Sequence, residues 1–126
     1  MKIEMLKQHN ILTNGMFILC LPSDTVKSVY QTIRYAMRLG LDFAQFSIFT
    51  PYPGTPFFEF ARDSVVEKRY EKFSQFELIY QHSSISRERA AWLLQFAYII
   101  FFAPKVIKRP FVRFKRLFFG HGRATA

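Results

Sequence analysis

Residues 45–55 read QFSIFTPYPGT and contain the clearest indication of the fold. An apolar, aromatic run passes into a loop that is rich in proline and contains Gly54. Such a run predicts a β-strand, and the loop predicts a rigid, non-repetitive turn. The stretch at residues 15–25, GMFILCLPSDT, follows the same order: an apolar run, a turn with Pro22, and then a helical pattern.

The segment between these two strands predicts a crossover helix. Apolar residues recur at helical spacing from Val26 to Leu39, and basic residues lie between them. We expect Ser23 or Asp24 to cap the start of this helix, and Gly40 to adopt the left-handed conformation at its end. Two strand–turn–helix units in tandem indicate an α/β fold with neighbouring parallel strands.

The first strand is predicted within residues 11–21 and the second at residues 43–49. The run at residues 16–21 is almost uninterrupted in its apolar character, which predicts a strand covered on both faces. Because parallel strands point the same way, both turns should lie side by side at one edge of the sheet. That edge is where such folds place their chemistry.

Composition excludes several classes of protein. The chain has 126 residues, half of them apolar and 18% aromatic, which suits one small domain or a piece of a larger one rather than a disordered tail. Its single cysteine, Cys20, excludes an internal disulfide framework and is typical of a small buried apolar residue. The histidines, at 9, 82 and 121, have no metal-ligand spacing, and no catalytic residue is assigned. The polar first residues indicate a cytoplasmic protein.

The net charge of +9 is concentrated at the end of the chain, since no Asp or Glu follows Glu88. Residues 90–104 carry no charge and predict a helix at 87–103, capped by Ser86 and ended by Pro104. Its uncharged length of about 22 Å falls short of a bilayer core of about 30 Å. Two alternatives stay open: a core helix, or a helix on an anionic membrane at the inner face of the cell membrane. The residues for the second are Trp92, Lys105, Lys108, Arg109, Arg113, Lys115 and Arg116. No nucleic-acid-binding motif is present, so nucleic acid is not the expected partner.

The chain is interpreted as three parts. Residues 1–62 form the part with the two strand–turn–helix units, which begins with a helix at 1–9 and ends with a short helix that starts after Pro56. Residues 63–85 form a linker, and residues 86–126 form an aromatic, basic, helical region.

The strand–turn motifs resemble those of the radical S-adenosylmethionine (radical SAM) superfamily. GMFILCLPSDT and DFAQFSIFTPYPGTPFFEFA are similar to the fifth and sixth strands of its cobalamin-binding-domain branch, which includes anaerobic cyclases. In that branch the fifth strand commonly reads G-x-F-I-x-G-L-P-G-E-T, and the sixth ends in a T-P-Y-P-G-T type loop. The late segment AWLLQFAYIIFFAPKVIKR also resembles the branch's C-terminal tail. The resemblance covers residues 1–117.

The resemblance implies a partial (β/α) barrel followed by a mainly helical C-terminal region. It implies that S-adenosylmethionine and a four-iron cluster serve the intact enzyme, with cobalamin as a further cofactor of the branch. It places Ile18, Cys20, Leu21 and Pro22 at the cofactor. Tyr52, Pro53, Gly54 and Thr55 would edge the substrate cavity, with hydroxyl groups offered by Tyr52 and Thr55.

Two departures from the family pattern shape the functional hypothesis. The C-x-x-x-C-x-x-C loop that holds the cluster is absent from the sequence, and one cysteine cannot replace it. Cys20 and Ser23 stand where the strand motif has glycines, and a glycine there would let a ligand approach the backbone. We therefore expect the C-terminal part of a radical SAM enzyme, inactive and free of cofactor alone, with the cluster on a missing N-terminal half or a separate chain. The alternative is a non-catalytic membrane-surface or interaction module derived from such an enzyme.

Overall fold

The computed structural model describes the backbone of residues 2–119 and the side chains of residues 2–107. Its helices and strands follow in the order α1 (Lys2–Gln8), β1 (Asn14–Leu19), α2 (Val26–Arg38), β2 (Phe43–Ile48), α3 (Pro56–Ala61) and α4 (Arg87–Phe119). Two short 3-10 turns, Arg62–Ser64 and Tyr70–Lys72, lie between α3 and α4.

The two strands pair in parallel, in register from Asn14 opposite Phe43 to Leu19 opposite Ile48. The helix α2 connects them, and α4 follows as the helical C-terminal region. The predicted α/β fold, a partial (β/α) barrel fragment with parallel strands, is confirmed.

The start of α2 differs from the prediction. Thr25, and not Ser23 or Asp24, is the N-cap, and its backbone is extended as this position requires. The Thr25 side chain accepts the N–H of Ser28 at 3.2 Å, and Ser28 Oγ accepts the N–H of Thr25 at 2.9 Å, so each residue satisfies a free backbone donor of the other. At the other end Gly40 has φ +66°, the predicted left-handed conformation.

The core lies on one face of the sheet. Side chains of Ala44, Phe46 and Ile48 point to this face from β2, and Phe17 and Leu19 point to it from β1. Phe46 is completely buried, with its ring 5.4 Å from the ring of Phe17. The helix α4 contributes a buried stripe at helical spacing: Ala90, Leu93, Leu94, Ala97 and Phe101. Burial of each large apolar side chain contributes about 1.5–3 kcal/mol.

The other face of the sheet is open, which contradicts the prediction that residues 16–21 are covered on both faces. Met16 is 74% exposed, Ile18 is 52% exposed, and Phe43 of β2 is 46% exposed. Both long helices, α2 and α4, pack on the opposite face with the core. An uninterrupted apolar strand therefore has only one face buried here.

The helix α4 does not end at Pro104, so the predicted end at residue 103 is wrong. Proline removes one backbone hydrogen bond and bends a helix. Lys105, the residue after Pro104, attaches this part of α4 to the loop before β2. Its Nζ donates to the carbonyl oxygens of Leu41 and, at 2.9 Å, of Asp42. The same ammonium lies 3.9 Å from the ring centroid of Phe101.

The uncharged run at residues 90–104 therefore does not set the length of the helix, contrary to the prediction from the sequence. The 21 residues Arg87–Ile107 form one helix, about 31 Å long, that is long and apolar enough to cross a membrane by length and composition alone. Only 28% of its most apolar stretch is buried. The buried stripe confirms that one side of α4 packs as a core helix. The opposite side of α4 is exposed.

Candidate functional site

Two turns stand next to each other at the carboxyl ends of the strands. We call residues 20–25 the first turn and residues 49–55 the second turn. The N–H of Phe49 donates to the carbonyl of Leu19 at 2.8 Å, which continues the ladder to the point where both turns begin. Because β1 and β2 are parallel, both turns lie at the same edge of the sheet, as the sequence predicts.

Cys20 begins the first turn in a conformation that is rare for a residue with a side chain. Its φ is +60°, in the left-handed region that glycine adopts without cost. Its thiol is fully buried, and burial, with a smaller contribution from the charge of Asp24, raises the pKa of the thiol to about 11. Cys20 is therefore a core residue, as predicted from its isolation. Its side chain lines none of the grooves described below.

Two residues distant in sequence form hydrogen bonds with the backbone of the first turn. The hydroxyl of Tyr80 donates to the buried carbonyl of Cys20 at 2.6 Å, and burial raises the pKa of this phenol. His82 Nε2 lies 2.8 Å from the carbonyl of Leu21, while its Nδ1 accepts the N–H groups of Ser84 and Ile85. This arrangement fits the neutral imidazole with its proton on Nε2.

The carboxylate of Asp24 stabilises the first turn through hydrogen bonds. Asp24 accepts the N–H of Leu21 at 2.9 Å and the hydroxyl of Ser28 at 2.7 Å. Its own N–H donates to the carbonyl of Leu21 at 2.8 Å. Asp24 therefore organises the turn as well as the start of α2, where a negative charge is favourable.

The second turn uses its hydroxyl groups internally. Tyr52 Oη donates to the carbonyl of Phe73 at 2.9 Å. Thr55 Oγ1 donates to the carbonyl of Tyr52 at 2.7 Å and accepts the N–H of Phe58, which makes Thr55 the N-cap of α3. Gly54 has φ +85° and, like Pro53, is exposed. The hydroxyls predicted for substrate contact therefore stabilise the turn in this structure.

A groove of about 380 Å³ runs along the open face of the sheet towards the second turn, and we call it the open-face groove. It brings together Ile18, predicted at the cofactor, and Tyr52, predicted at the substrate cavity. Met16 and Ile18 supply apolar surface, whereas Ser47 supplies a hydroxyl group. The amides of Gln45 and Gln75 supply further donors and acceptors, and none of the described lining residues is charged.

Pro22 lies in a different and smaller groove. This groove of about 210 Å³ separates the first turn from α3, with Phe57 and Phe60 on one side and Tyr80 and His82 on the other. Leu21 is exposed next to it. The four residues predicted at the cofactor are thus divided among the open-face groove, this second groove and the core.

A further cavity, of about 510 Å³, lies away from both turns, at the amino-terminal edge of the strands. Lys7, Asp42 and Lys105 line it. The carboxylate of Asp42 accepts two hydrogen bonds from Thr13, from the N–H and from Oγ1, each at 2.8 Å, and these bonds lower the pKa of Asp42. Asp42 thereby stabilises the bend before β2, and its cavity lies far from the predicted site.

The described residues do not fit an iron–sulfur cluster. Cys20 is buried as a thiol, and among the side chains of residues 2–107 no group of three His, Cys, Asp or Glu residues could hold a metal ion. S-Adenosylmethionine fits better, because the open-face groove offers apolar surface for a base and amide and hydroxyl groups for a ribose.

Residues predicted for a membrane surface are placed in different ways. Trp92 is 47% exposed on the outer face of α4, with its ring stacked 5.1 Å from Phe96. Lys105 instead points inward to the carbonyls before β2. The side chains of the other basic residues lie outside the described part of the chain: Lys108, Arg109, Arg113, Lys115 and Arg116.

No family model matches the chain. It is 32% identical over 122 residues to an uncharacterised methyltransferase of Pyrococcus horikoshii, covering 95% of the chain and 26% of the relative. It is 30% identical over 87 residues to the bacteriochlorophyllide d C-12(1)-methyltransferase of Chlorobaculum tepidum, covering 69% and 19%. An anaerobic magnesium-protoporphyrin IX monomethyl ester cyclase of Cereibacter sphaeroides is 32% identical over 85 residues, covering 68% and 14%.

These similarities fit a link to the radical SAM superfamily. The chain is homologous to parts of methyltransferases and of anaerobic cyclases, and it spans about a quarter or less of the length of these curated relatives. The sequence resemblance and the similar proteins therefore agree on the broad family. Sequence reasoning missed Tyr80 and His82, because no local pattern connects them to a turn about 60 residues earlier.

Proposed function

We propose that this chain is the later-strand part of a radical SAM enzyme of the cobalamin-binding-domain branch. β1 and β2 are neighbouring strands of its barrel wall, and the open-face groove is one side of the cavity for S-adenosylmethionine and substrate. The four-iron cluster is carried elsewhere, on an N-terminal part or a separate chain, and this chain alone is inactive. The whole enzyme works in the cytoplasm.

One observation carries this proposal: within the described part of the chain, the sheet is covered on one face only. Helices pack on the side of Phe46, as they do on the outside of a (β/α) barrel. The opposite side exposes Met16 and Ile18 and ends at the two turns. In a barrel that side faces the interior, and the carboxyl ends of the strands form the catalytic rim.

In the whole enzyme, bound S-adenosylmethionine and the cluster would supply the radical chemistry. The residues of this chain bind and orient S-adenosylmethionine and the substrate. Met16 and Ile18 exclude water from their side of the cavity. Gln45 and Ser47 direct amide and hydroxyl groups from β2 into the same space. The first turn is kept rigid by Tyr80 and is thereby held at the rim.

A chimaeric enzyme tests the proposal. In the bacteriochlorophyllide d C-12(1)-methyltransferase of Chlorobaculum tepidum, the 87 aligned residues are replaced by the corresponding stretch of this chain. We expect the anaerobic chimaera to methylate the pigment. Ser47→Arg, which places a charge in the open-face groove, should reduce the rate about a hundredfold, because it displaces bound ligands.

Arg34→Ser is the matched control, since Arg34 is exposed on α2 away from the groove and its loss should leave the rate unchanged. A folded chimaera without methylation, or equal rates for Ser47→Arg and Arg34→Ser, would contradict the proposal. Anaerobic reconstitution of the unmodified chain tests the second part: a stoichiometric four-iron cluster would show that the chain is not dependent on a cluster-bearing partner.

A membrane-surface role is the second candidate, favoured by the outer face of α4. Trp92 is 47% exposed and Ile99 is 67% exposed on a helix that is mostly unburied. The guanidinium of Arg89 lies 5.8 Å from the Trp92 ring, where a basic group suits an anionic lipid headgroup. In this proposal the helix lies on the inner face of the cell membrane, and the basic residues after it add about 1 kcal/mol each.

Liposome flotation tests this second role. Binding to vesicles with anionic lipid should weaken with salt and should fall in the variant Trp92→Ala. Gln31→Ala, an exposed change on α2, is the control. Absence of binding at low salt, or equal binding of Trp92→Ala and the wild type, would contradict a membrane-surface role for α4.

A further inference from the structure

The outer edge of β2 is closed by a side chain of α4. The N–H of Phe46 donates to Tyr98 Oη at 3.1 Å, and Tyr98 Oη donates to the carbonyl of Phe46 at 2.8 Å. The N–H of Ile48 donates to the carbonyl of Gln75 at 2.7 Å. One hydroxyl group and one loop carbonyl therefore take the positions that a neighbouring strand would occupy, and β2 is the last strand on its side.

The outer edge of β1 has no such closure. The carbonyl of Thr13 accepts the N–H of Phe43, and the carbonyl of Leu19 accepts the N–H of Phe49, so the odd-numbered residues of β1 face β2. The N–H and carbonyl groups of Met16 and Ile18 then point away from the sheet. Among the backbone of residues 2–119 and the side chains of residues 2–107, no bond from outside the β1–β2 ladder reaches them. The strand NGMFIL has no charge and no proline, the devices that normally protect an exposed edge.

From this asymmetry we propose that the outer edge of β1 is a docking edge that receives one parallel strand from the cluster-bearing part of the enzyme. Because Tyr98 occupies the outer edge of β2, a further strand can pair only with the outer edge of β1. The inference rests on the proposed function for the identity of the partner. The mode of binding is strand addition, in which main-chain hydrogen bonds supply the contact.

A parallel barrel strand is favoured over a second copy of this chain. The apolar side chains of Met16 and Ile18 continue the open face, and a near-continuous apolar run is typical of a strand with parallel neighbours. The chain covers only 26% of its Pyrococcus horikoshii relative, so the relative has sequence for further strands. A second copy paired by two-fold symmetry would run antiparallel and would place the two pairs of turns at opposite ends.

Amide hydrogen exchange measures directly whether the backbone groups at the outer edge of β1 are unpaired. In the free full-length chain, the amides of Met16 and Ile18 should exchange at least about tenfold faster than those of Phe17 and Leu19, which bond to β2. In the chimaera described above, all of these amides should be protected. Protection of Met16 and Ile18 in a monomeric free chain would show that the edge is not open, and protection with dimerisation would identify a second copy as the occupant. Both results overturn the proposal.

Substitution of one residue separates backbone pairing from side-chain contact. Met16→Pro removes the outward N–H but leaves the ladder to β2 intact, whereas Met16→Thr removes the same side chain and keeps the N–H. We expect the chimaera with Met16→Pro to lose protection at Ile18 about tenfold relative to Met16→Thr. Equal protection in both variants, or a chimaera without cooperative melting, would contradict strand addition at this edge.

The result is distinguishable from failure of the proposed function. A chimaera that protects Met16 and Ile18 but does not methylate supports the docking edge and rejects the enzymatic role. A chimaera that methylates while both amides exchange freely supports the role and rejects the docking edge.

Discussion

Substitution of Cys20 by glycine should relieve the strain of a left-handed residue. Cys20 has φ +60°, and a side chain in this conformation costs about 1–2 kcal/mol, whereas glycine is free of that cost. Direct comparison with the wild type is complicated by the loss of the buried thiol. Cys20→Ala removes the same sulfur and keeps the left-handed side chain, so it is the proper reference.

The expected difference follows from two opposing contributions. At an ordinary position glycine is less stable than alanine by about 0.5–1 kcal/mol, because it loses more freedom on folding. Relief of about 1–2 kcal/mol at φ +60° reverses the sign. Cys20→Gly should therefore be more stable than Cys20→Ala by roughly 0.5–1 kcal/mol.

Urea unfolding followed by far-ultraviolet circular dichroism measures this difference through the midpoint at constant slope. The control is Ala36→Gly, a fully buried helical position of α2, which should be destabilised by about 1 kcal/mol. If Cys20→Gly were less stable than Cys20→Ala by a similar amount, Cys20 would not be in a strained conformation and the account of the first turn would be wrong.

Further substitutions test the contacts around the site. Tyr80→Phe should cost about 1–3 kcal/mol in urea unfolding, because the buried carbonyl of Cys20 loses its donor; an unchanged midpoint would refute that bond. Arg69 lowers the pKa of Glu67 from 4.5 to about 2, so this pair stabilises the fold above pH 4.5 and the contribution is lost between pH 4.5 and 2. Glu67→Gln should flatten the acid limb of a thermal-stability profile, and an identical limb would contradict this role. Lys105→Met should cost about 1–2 kcal/mol through its lost bonds to the carbonyls before β2, without changing vesicle binding. A clear drop in vesicle binding would show that Lys105 contacts lipid instead.

The strands and the position of the turns could be predicted because their signals are local. The apolar runs at residues 16–21 and 43–49, each followed by a proline-containing turn, lie in neighbouring parallel strands, although β1 ends at Leu19 and β2 ends at Ile48. The glycine that the family motif has at position 20 was interpreted as room for a ligand. The structure gives a different reason, because this position is left-handed and the Cys20 side chain is buried.

The remaining features depend on contacts between distant residues. Tyr80 and His82 meet the first turn only after the chain has returned through residues 63–85, a segment predicted as a linker that contributes Leu78 and Ile79 to the buried residues. Helix α4 continues through Pro104 where Lys105 reaches the carbonyls before β2, a contact that no helical pattern reveals. The apolar composition of β1 also cannot tell which of its faces is covered within one chain.

Alkylation of a single introduced cysteine tests most directly whether the open face lines the cofactor cavity. In the anaerobic chimaera, Ser47→Cys places a thiol in the open-face groove, and Gln31→Cys places one on the exposed side of α2. Peptide mass spectrometry then measures the rate of alkylation at each site. S-Adenosylmethionine should slow the reaction at position 47 at least about tenfold and should leave the rate at position 31 unchanged. Equal rates at position 47 with and without the cofactor would contradict this expectation.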